Sequence, residues 1–228
     1  MRIFTRKKII LSTLMAGLLV LSGCGRNLTK EDARNALRAE GMAYTVMASA
    51  NVQSDLGNGT EEVPIAFSGT ASVSGGAVLV EGRRTMYLRN TESSASESAW
   101  KSGEECMHAE EGLWEDGTMG MLSDATASFL SEGGAESALA ESDLKKDGSG
   151  WEMSGKGASG TWPQEADVKA EFGEDGTLER ITVKASQASG SSVELIIVPS
   201  GPALSTEKPG FDEEDIEDSE ETEKTEEN

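Results

Sequence analysis

The stretch "AYTVMASANVQ" (residues 43–53) decides the fold. Tyr44, Val46, Ala48, Ala50 and Val52 alternate with Thr45, Ser49, Asn51 and Gln53. A period of two over this length predicts a strand with one covered face. After a loop rich in Asp, Asn and Gly (residues 54–62) the alternation resumes. Ile65, Phe67, Ala71 and Val73 then stand against Ser68, Thr70 and Ser72. Gly75-Gly76 is a turn signal, and residues 77–89 make a third long strand, with Val78, Val80, Met86 and Leu88 in phase and Gly82 as a bend. Three such strands in succession predict an antiparallel sheet.

The pattern changes period away from this core. Thr29-Lys-Glu-Asp32 is a helix start with Thr29 as its cap, and that helix carries Ala33, Ala36 and Leu37 before Gly41. Residues 90–98 read as a polar loop. "AWKSGEECMHAEEGLWED" (99–116) reads as two short strands about Ser102-Gly103. Leu122, Ala125, Phe129 and Leu130 fall at helical spacing in 118–132. Gly133-Gly134 stops that helix, and a second is expected over Ala135 to Lys146. Strands return with Val168, Ala170 and Phe172, turn at Glu174-Asp175-Gly176, and continue through Ile181, Val183 and Ala185 to "VELIIVP" (193–199).

Residues 1–23 read as an export signal. Arg2, Arg6, Lys7 and Lys8 precede an apolar stretch from Ile9 to Leu21, which is short for a membrane span but suits a signal core. It ends in Leu21-Ser22-Gly23-Cys24, which resembles the lipobox of bacterial lipoproteins. That resemblance implies cleavage before Cys24 and a diacylglycerol, with palmitate-type acylation, on its thiol. Cys24 is then an anchor on the extracytoplasmic face of the cell membrane and builds no part of the fold. Cys106 would be the remaining thiol, so no internal disulfide is expected. Its acidic surroundings, "EECMHAEE", disfavour a thiolate, and it reads as a small half-buried strand residue.

Composition narrows the function classes. The apolar content is 36%, and the 26 glycines bring it into the ordinary globular range, so the core is made of small residues. Removing the four signal bases leaves 16 Lys and Arg against 41 Asp and Glu, a net charge of −25. Nucleic acid binding is disfavoured, because phosphate contacts need basic patches. Residues 203–228 lack periodicity and are acidic, so they are expected to form a disordered tail. Phe211 and Ile216 are its only candidates for a docking motif.

No catalytic set emerges. His108 is the single histidine, and no G-x-S-x-G surrounds a serine. Cys106 and His108 share a strand face, but two ligands fall short of a zinc set, so His108 reads as a half-exposed strand residue and no metal or cofactor is expected. "EDGT" at 115–118 and 174–177 lacks the spacing of a calcium loop and reads as turns. Glycoside chemistry would want aromatic platforms, and only Trp100, Trp114, Trp151 and Trp162 are present. The expectation is a protein that is not an enzyme.

The order helix, antiparallel strands, helical insert and further strands, on a lipobox chain, resembles the LolA/LppX-like lipoprotein fold. The resemblance implies an α+β domain in which an unclosed, curved antiparallel sheet (a half-barrel) is covered on its concave side by helices. Domains are accordingly 1–23 signal peptide, 24–28 lipidated tether, 29–202 half-barrel and 203–228 acidic tail. It also implies a lipid or other apolar ligand held between helices and sheet. Inward candidates are Tyr44, Val46, Ala48, Val52, Ile65, Phe67, Ala71, Val73, Val78, Val80, Met86, Leu88, Leu122, Phe129 and Leu130. Two functions stay open: a tethered binder of an apolar ligand, or a surface interaction lipoprotein whose sheet is filled by its own helices and which binds a protein partner.

Overall fold

The computed structural model describes residues 27–38, 40–55, 60–89, 91–157, 166–186 and 190–209. The lipobox with Cys24, Trp162, and the chain from residue 210 onward, with Phe211 and Ile216, lie outside the described residues.

A short helix α1 (Lys30–Ala36) leads into β1 (Met42–Asp55), β2 (Thr60–Ser74), β3 (Ala77–Leu88), β4 (Thr91–Ser102), β5 (Glu105–Glu110) and β6 (Leu113–Asp116). Two helices follow, α2 (Leu122–Ser131) and α3 (Gly134–Ala138). The chain then runs through β7 (Lys145–Asp147), β8 (Gly150–Gly157), β9 (Ala166–Phe172), β10 (Leu178–Ser186) and β11 (Ser192–Pro202). All eleven strands form one sheet in the order β6-β5-β4-β3-β2-β1-β11-β10-β9-β8-β7, every pair antiparallel. The two meanders meet at β1 and β11, while among the described residues β6 and β7 are the edges and do not pair with each other, so the sheet is unclosed.

Residues 117–144 join one edge to the other and carry both helices. α2 packs on β2, β3 and β4, and α3 on β8 and β9. The helices therefore roof a single face. That face bears the buried alternating residues, among them Val46, Ala71, Val80, Ile181 and Ile197.

Glycines explain how the sheet bends. Gly75 and Gly76, with φ of 62° and 76°, make a two-residue hairpin turn that L side chains rarely adopt. Gly69 and Gly82 have a different role. They are register partners at inner-face positions. A Cβ at Gly69 would lie 2.1 Å from the Glu81 carbonyl oxygen, and one at Gly82 would lie 2.5 Å from both the Ser68 carbonyl and the Phe67 ring. The two missing side chains let the backbones of β2 and β3 and the Phe67 ring take up the space that two Cβ atoms would fill.

Three expectations change. Residues 90–98 are not a loop, since β4 begins at Thr91 and pairs with β3 from Leu88 onward. Its first four residues are exposed and polar, so no alternation marked it. The stretch 99–116 holds three strands rather than two, because Glu111 and Gly112 (φ 52° and 84°) make a second turn. The second helix stops at Ala138 instead of Lys146, since residues 145–147 are needed as the edge strand β7.

The first residues of the expected acidic tail are described, while the rest of it, from residue 210, lies outside the described residues. Residues 203–208 lie on the outer face, where Leu79, Trp114, Ala77, Trp100 and Met107 form a small second core. The Trp100 indole Nε1 donates to the Thr206 carbonyl (3.0 Å), and the Thr206 hydroxyl to the Ser74 carbonyl (2.8 Å). Lys208 reaches Glu105 (2.9 Å) and sits 5.7 Å from the Trp100 ring centre. Periodicity gave no hint of this because the strap is held by scattered single hydrogen bonds and one cation rather than by a repeating apolar face. Truncation after Pro202 is expected to cost about 1–3 kcal/mol more than truncation after Pro209, since it uncovers Trp100. Thermal melts of the two truncations check it.

Candidate functional site

Register rows show what the inner face offers. One row crosses the sheet as Glu110, Glu97, Gly82, Gly69, Val46, Ile197, Ile181, Ala170 and Met153. The next runs Glu115, His108, Ala99, Val80, Ala71 and Tyr44. The face is therefore divided. From β2 through β8 it is apolar, and across β4, β5 and β6 it carries charge.

On the apolar side the predicted residues gather. Tyr44, Val46, Ala48, Phe67, Ala71, Val73, Val78, Val80, Phe129 and Leu130 join one cluster, each exposed by 6% or less, and Leu122 packs against it half-buried. Burial pushes the Tyr44 phenol up to about 12. Ile65 and Met86 are half-buried nearer the strand ends. Val52 and Leu88 are 39% and 36% exposed, so the structure opens them to solvent rather than enclosing them under the helices. The same cluster takes in Leu139, Met153, Val168, Phe172, Val183 and Leu195, which the sequence list omitted. Val168, Phe172 and Val183 alternate visibly and could have been included. Met153 sits in "GWEMSGKG", where glycines hide the period.

A concavity of about 410 Å³ lies at the loop end of β1, β2, β10 and β11. Most of its walls are outward positions such as Ser49, Asn51, Ala66, Tyr87 and Lys184, and it meets the apolar cluster only at its edge, through Ala185 and Val193.

On the charged side, α2 begins over buried polar groups. The Ser123 amide donates to Glu97 Oε1 (2.8 Å), and the Met119 and Met121 amides donate to Asp124 Oδ2 (2.9 and 3.1 Å). These carboxylates cap a helix N-terminus, where unpaired amides and the helix dipole favour negative charge. Glu97 is 0% exposed and stands 3.6 Å from Arg84 Nε, while Arg84 also binds Glu110. Burial holds the Asp124 carboxyl above the usual aspartate range, against the lowering effect of its amide donors and of His108. Lys101 ties the last turn of α2 down through Ser128 (3.2 Å) and Glu132 (2.9 Å).

His108 corrects one expectation: it is buried, at 5% exposed, rather than half-exposed. The loop before α2 covers it, and its Nδ1 lies 3.3 Å from the Gly117 carbonyl. Cys106 is half-buried. Among the described residues no group of three or more His, Cys, Asp or Glu is placed to hold a metal ion.

No family model matches the chain, and neither does any curated protein. Solved structures similar to it include the LprF protein of Mycobacterium bovis, at 9% identity with a TM-score of 0.35, covering 81% of this chain and 99% of that one. A LolA superfamily protein of Nitrosomonas europaea is similar at 10% identity with a TM-score of 0.29, covering 80% and 96%. The fold assignment stands on the strand order and packing described above.

Proposed function

We propose that this chain is a membrane-anchored, extracytoplasmic lipoprotein that binds a lipid or other apolar ligand between the apolar part of the sheet and α2–α3, without catalysis. The lipobox supports the anchor. One observation carries the binding: an apolar face spanning β2 to β8 in sheet order is covered, among the described residues, by short helices alone, α1 through Ala33 and Leu37 and then α2 and α3, of ten and five residues, joined at Gly133 with φ 61°. Such a joint lets the roof shift without breaking a regular element. Small residues at Ala48, Ala71, Ala99 and Ala127 leave ligand room when it does.

A second reading has its own support. Ala48, Ala71, Phe129 and Leu130 are already buried together, as in a sheet filled by its own helices. Interiors pack to about 0.75 density, so helices at rest close such a space. On that reading the protein binds a protein partner through its surface.

Replacing Ala48 or Ala71 by Phe separates the two. A binder takes up a fluorescent acyl probe, and either ring lowers probe affinity about tenfold or more with little loss of stability. A filled core takes up no probe, and either ring costs about 1–3 kcal/mol. Binding isotherms and thermal melts of the same samples give both readouts.

A further inference from the structure

We propose that the concavity at the loop end of β1, β2, β10 and β11 binds a neutral oligosaccharide. It opens mainly on the outer face of the sheet, so the inference is independent of the apolar binding proposed under the helices.

Two register rows build its floor. Pro64, Asn51, Ser192 and Ser186 stand side by side across β2, β1, β11 and β10. Tyr87, one position beyond the Ile65–Met86 pair, continues that row onto β3. The adjacent outward row runs Ala66, Ser49, Glu194 and Lys184. Period two turns both rows to the same face, and every one of these residues lines the concavity of about 410 Å³. A volume of that order is ordinary for a small-ligand site. With strands about 4.8 Å apart, the row from Tyr87 to Ser186 is about 19 Å long, so it takes several sugar rings in line rather than one.

The chemistry of the walls selects the ligand. Ser49, Asn51, Ser186 and Ser192 bring hydroxyl and amide groups that donate and accept. Among the described residues, none of the four is hydrogen-bonded to another side chain. Lys184 Nζ and Glu194 Oε1 pair at 3.0 Å, with the side chains 62% and 40% exposed, so they add strong hydrogen-bonding groups at no net charge. The Tyr87 ring, 45% exposed at the end of the row beside Pro64, supplies a flat apolar surface with a polar tip.

Other ligand classes fit this lining poorly. A phosphate or carboxylate meets a single cation, already held by Glu194, on a chain of net charge −21. A fatty chain would bury serines, an asparagine and an ion pair without giving them partners. A peptide cannot add as a strand, because β1, β2, β3, β10 and β11 are each paired on both sides. A sugar chain matches every part. Its C–H faces lie on Tyr87 and Pro64, and its hydroxyls donate to and accept from Ser49, Asn51, Ser192 and the Lys184–Glu194 pair. Glu194 is the one carboxylate among the described lining residues, whereas glycoside cleavage usually takes two, so the site holds the chain without cutting it.

Isothermal titration of the full chain tests this, in a polyoxyethylene detergent so that no sugar head group competes. Cellotetraose, maltotetraose and chitotetraose are the probes, and at least one of them is expected to bind. Tyr87→Ala and Asn51→Ala should each weaken that binding about three- to tenfold, the loss of one ring face or one hydrogen-bonding group. Neither side chain is buried, so the melting temperature should hold in both. Met47→Ala is the control, since Met47 is 46% exposed on β1 and lies outside the concavity, and it should leave the affinity unchanged. Binding of none of the three tetrasaccharides overturns the site, and so does an affinity untouched by both Tyr87→Ala and Asn51→Ala. Tighter binding of the acidic tetragalacturonate also overturns it, because recognition would then rest on the Lys184 charge. Uptake of a fluorescent acyl probe should be the same in wild type and Tyr87→Ala, which keeps this result separate from the apolar reading.

Discussion

Gly69→Ala is expected to destabilise the domain by about 2–3 kcal/mol, the upper end of what one added methyl does in a packed interior. The reason is geometric. The new Cβ would stand 2.1 Å from the Glu81 carbonyl oxygen and 2.7 Å from the Gly82 Cα, and both are backbone atoms of a paired strand. No rotamer change relieves such a contact, so β2 and β3 must separate where the sheet bends. Phe67, whose ring occupies the space over Gly82, would shift with them. For a domain of this size the loss corresponds to roughly 4–12 °C in melting temperature. Gly103→Asn is the control, because Gly103 is a turn residue with φ 58° and nothing within 4 Å of its Cβ position. Asparagine tolerates that conformation, and its melting temperature should stay within a few degrees of wild type. A Gly69→Ala protein as stable as the control would mean that the bend does not depend on the missing side chains.

Cys24→Ala is expected to move the protein from the membrane fraction to the soluble fraction, or to block processing altogether. The expectation rests on Leu21-Ser22-Gly23-Cys24 at the end of a short apolar core. Among the described residues no helix is long and apolar enough to cross a membrane. Each buried methylene of an acyl chain contributes about 0.8 kcal/mol, so two chains hold a protein firmly and their loss is close to all-or-none. Detergent phase partitioning reads the result. Wild type and variant both found in the aqueous phase would remove the anchor from the proposed function.

The sheet was legible wherever one face is wet and the other covered. β1, β2, β3 and β10 announce themselves by period two, and Gly75-Gly76 by its turn chemistry. β4 was missed along Thr91 to Ser94, because residues exposed on both faces carry no alternation. β8 was left undescribed for the opposite reason, with glycines standing where side chains would mark the period. Half of the candidate site was readable for the same cause: apolar inward residues repeat, so Val46, Ala71 and Val80 could be placed on one face. The buried charges could not. Glu97 lies in a run of serines and glutamates that looks solvated, and only its register with Gly82 and Glu110, beneath the first turn of α2, shows that it is enclosed. His108 was misread alike, since burial by the loop that follows the next strand leaves no signature within its own.

Native mass spectrometry of the domain, purified from its own host with the lipid anchor removed, tests the proposed binding most directly. The expected spectrum shows the polypeptide with one retained apolar adduct, which is absent from Ala71→Phe purified in parallel. A spectrum of bare polypeptide for wild type, which also stays bare after incubation with an acyl probe, would contradict it.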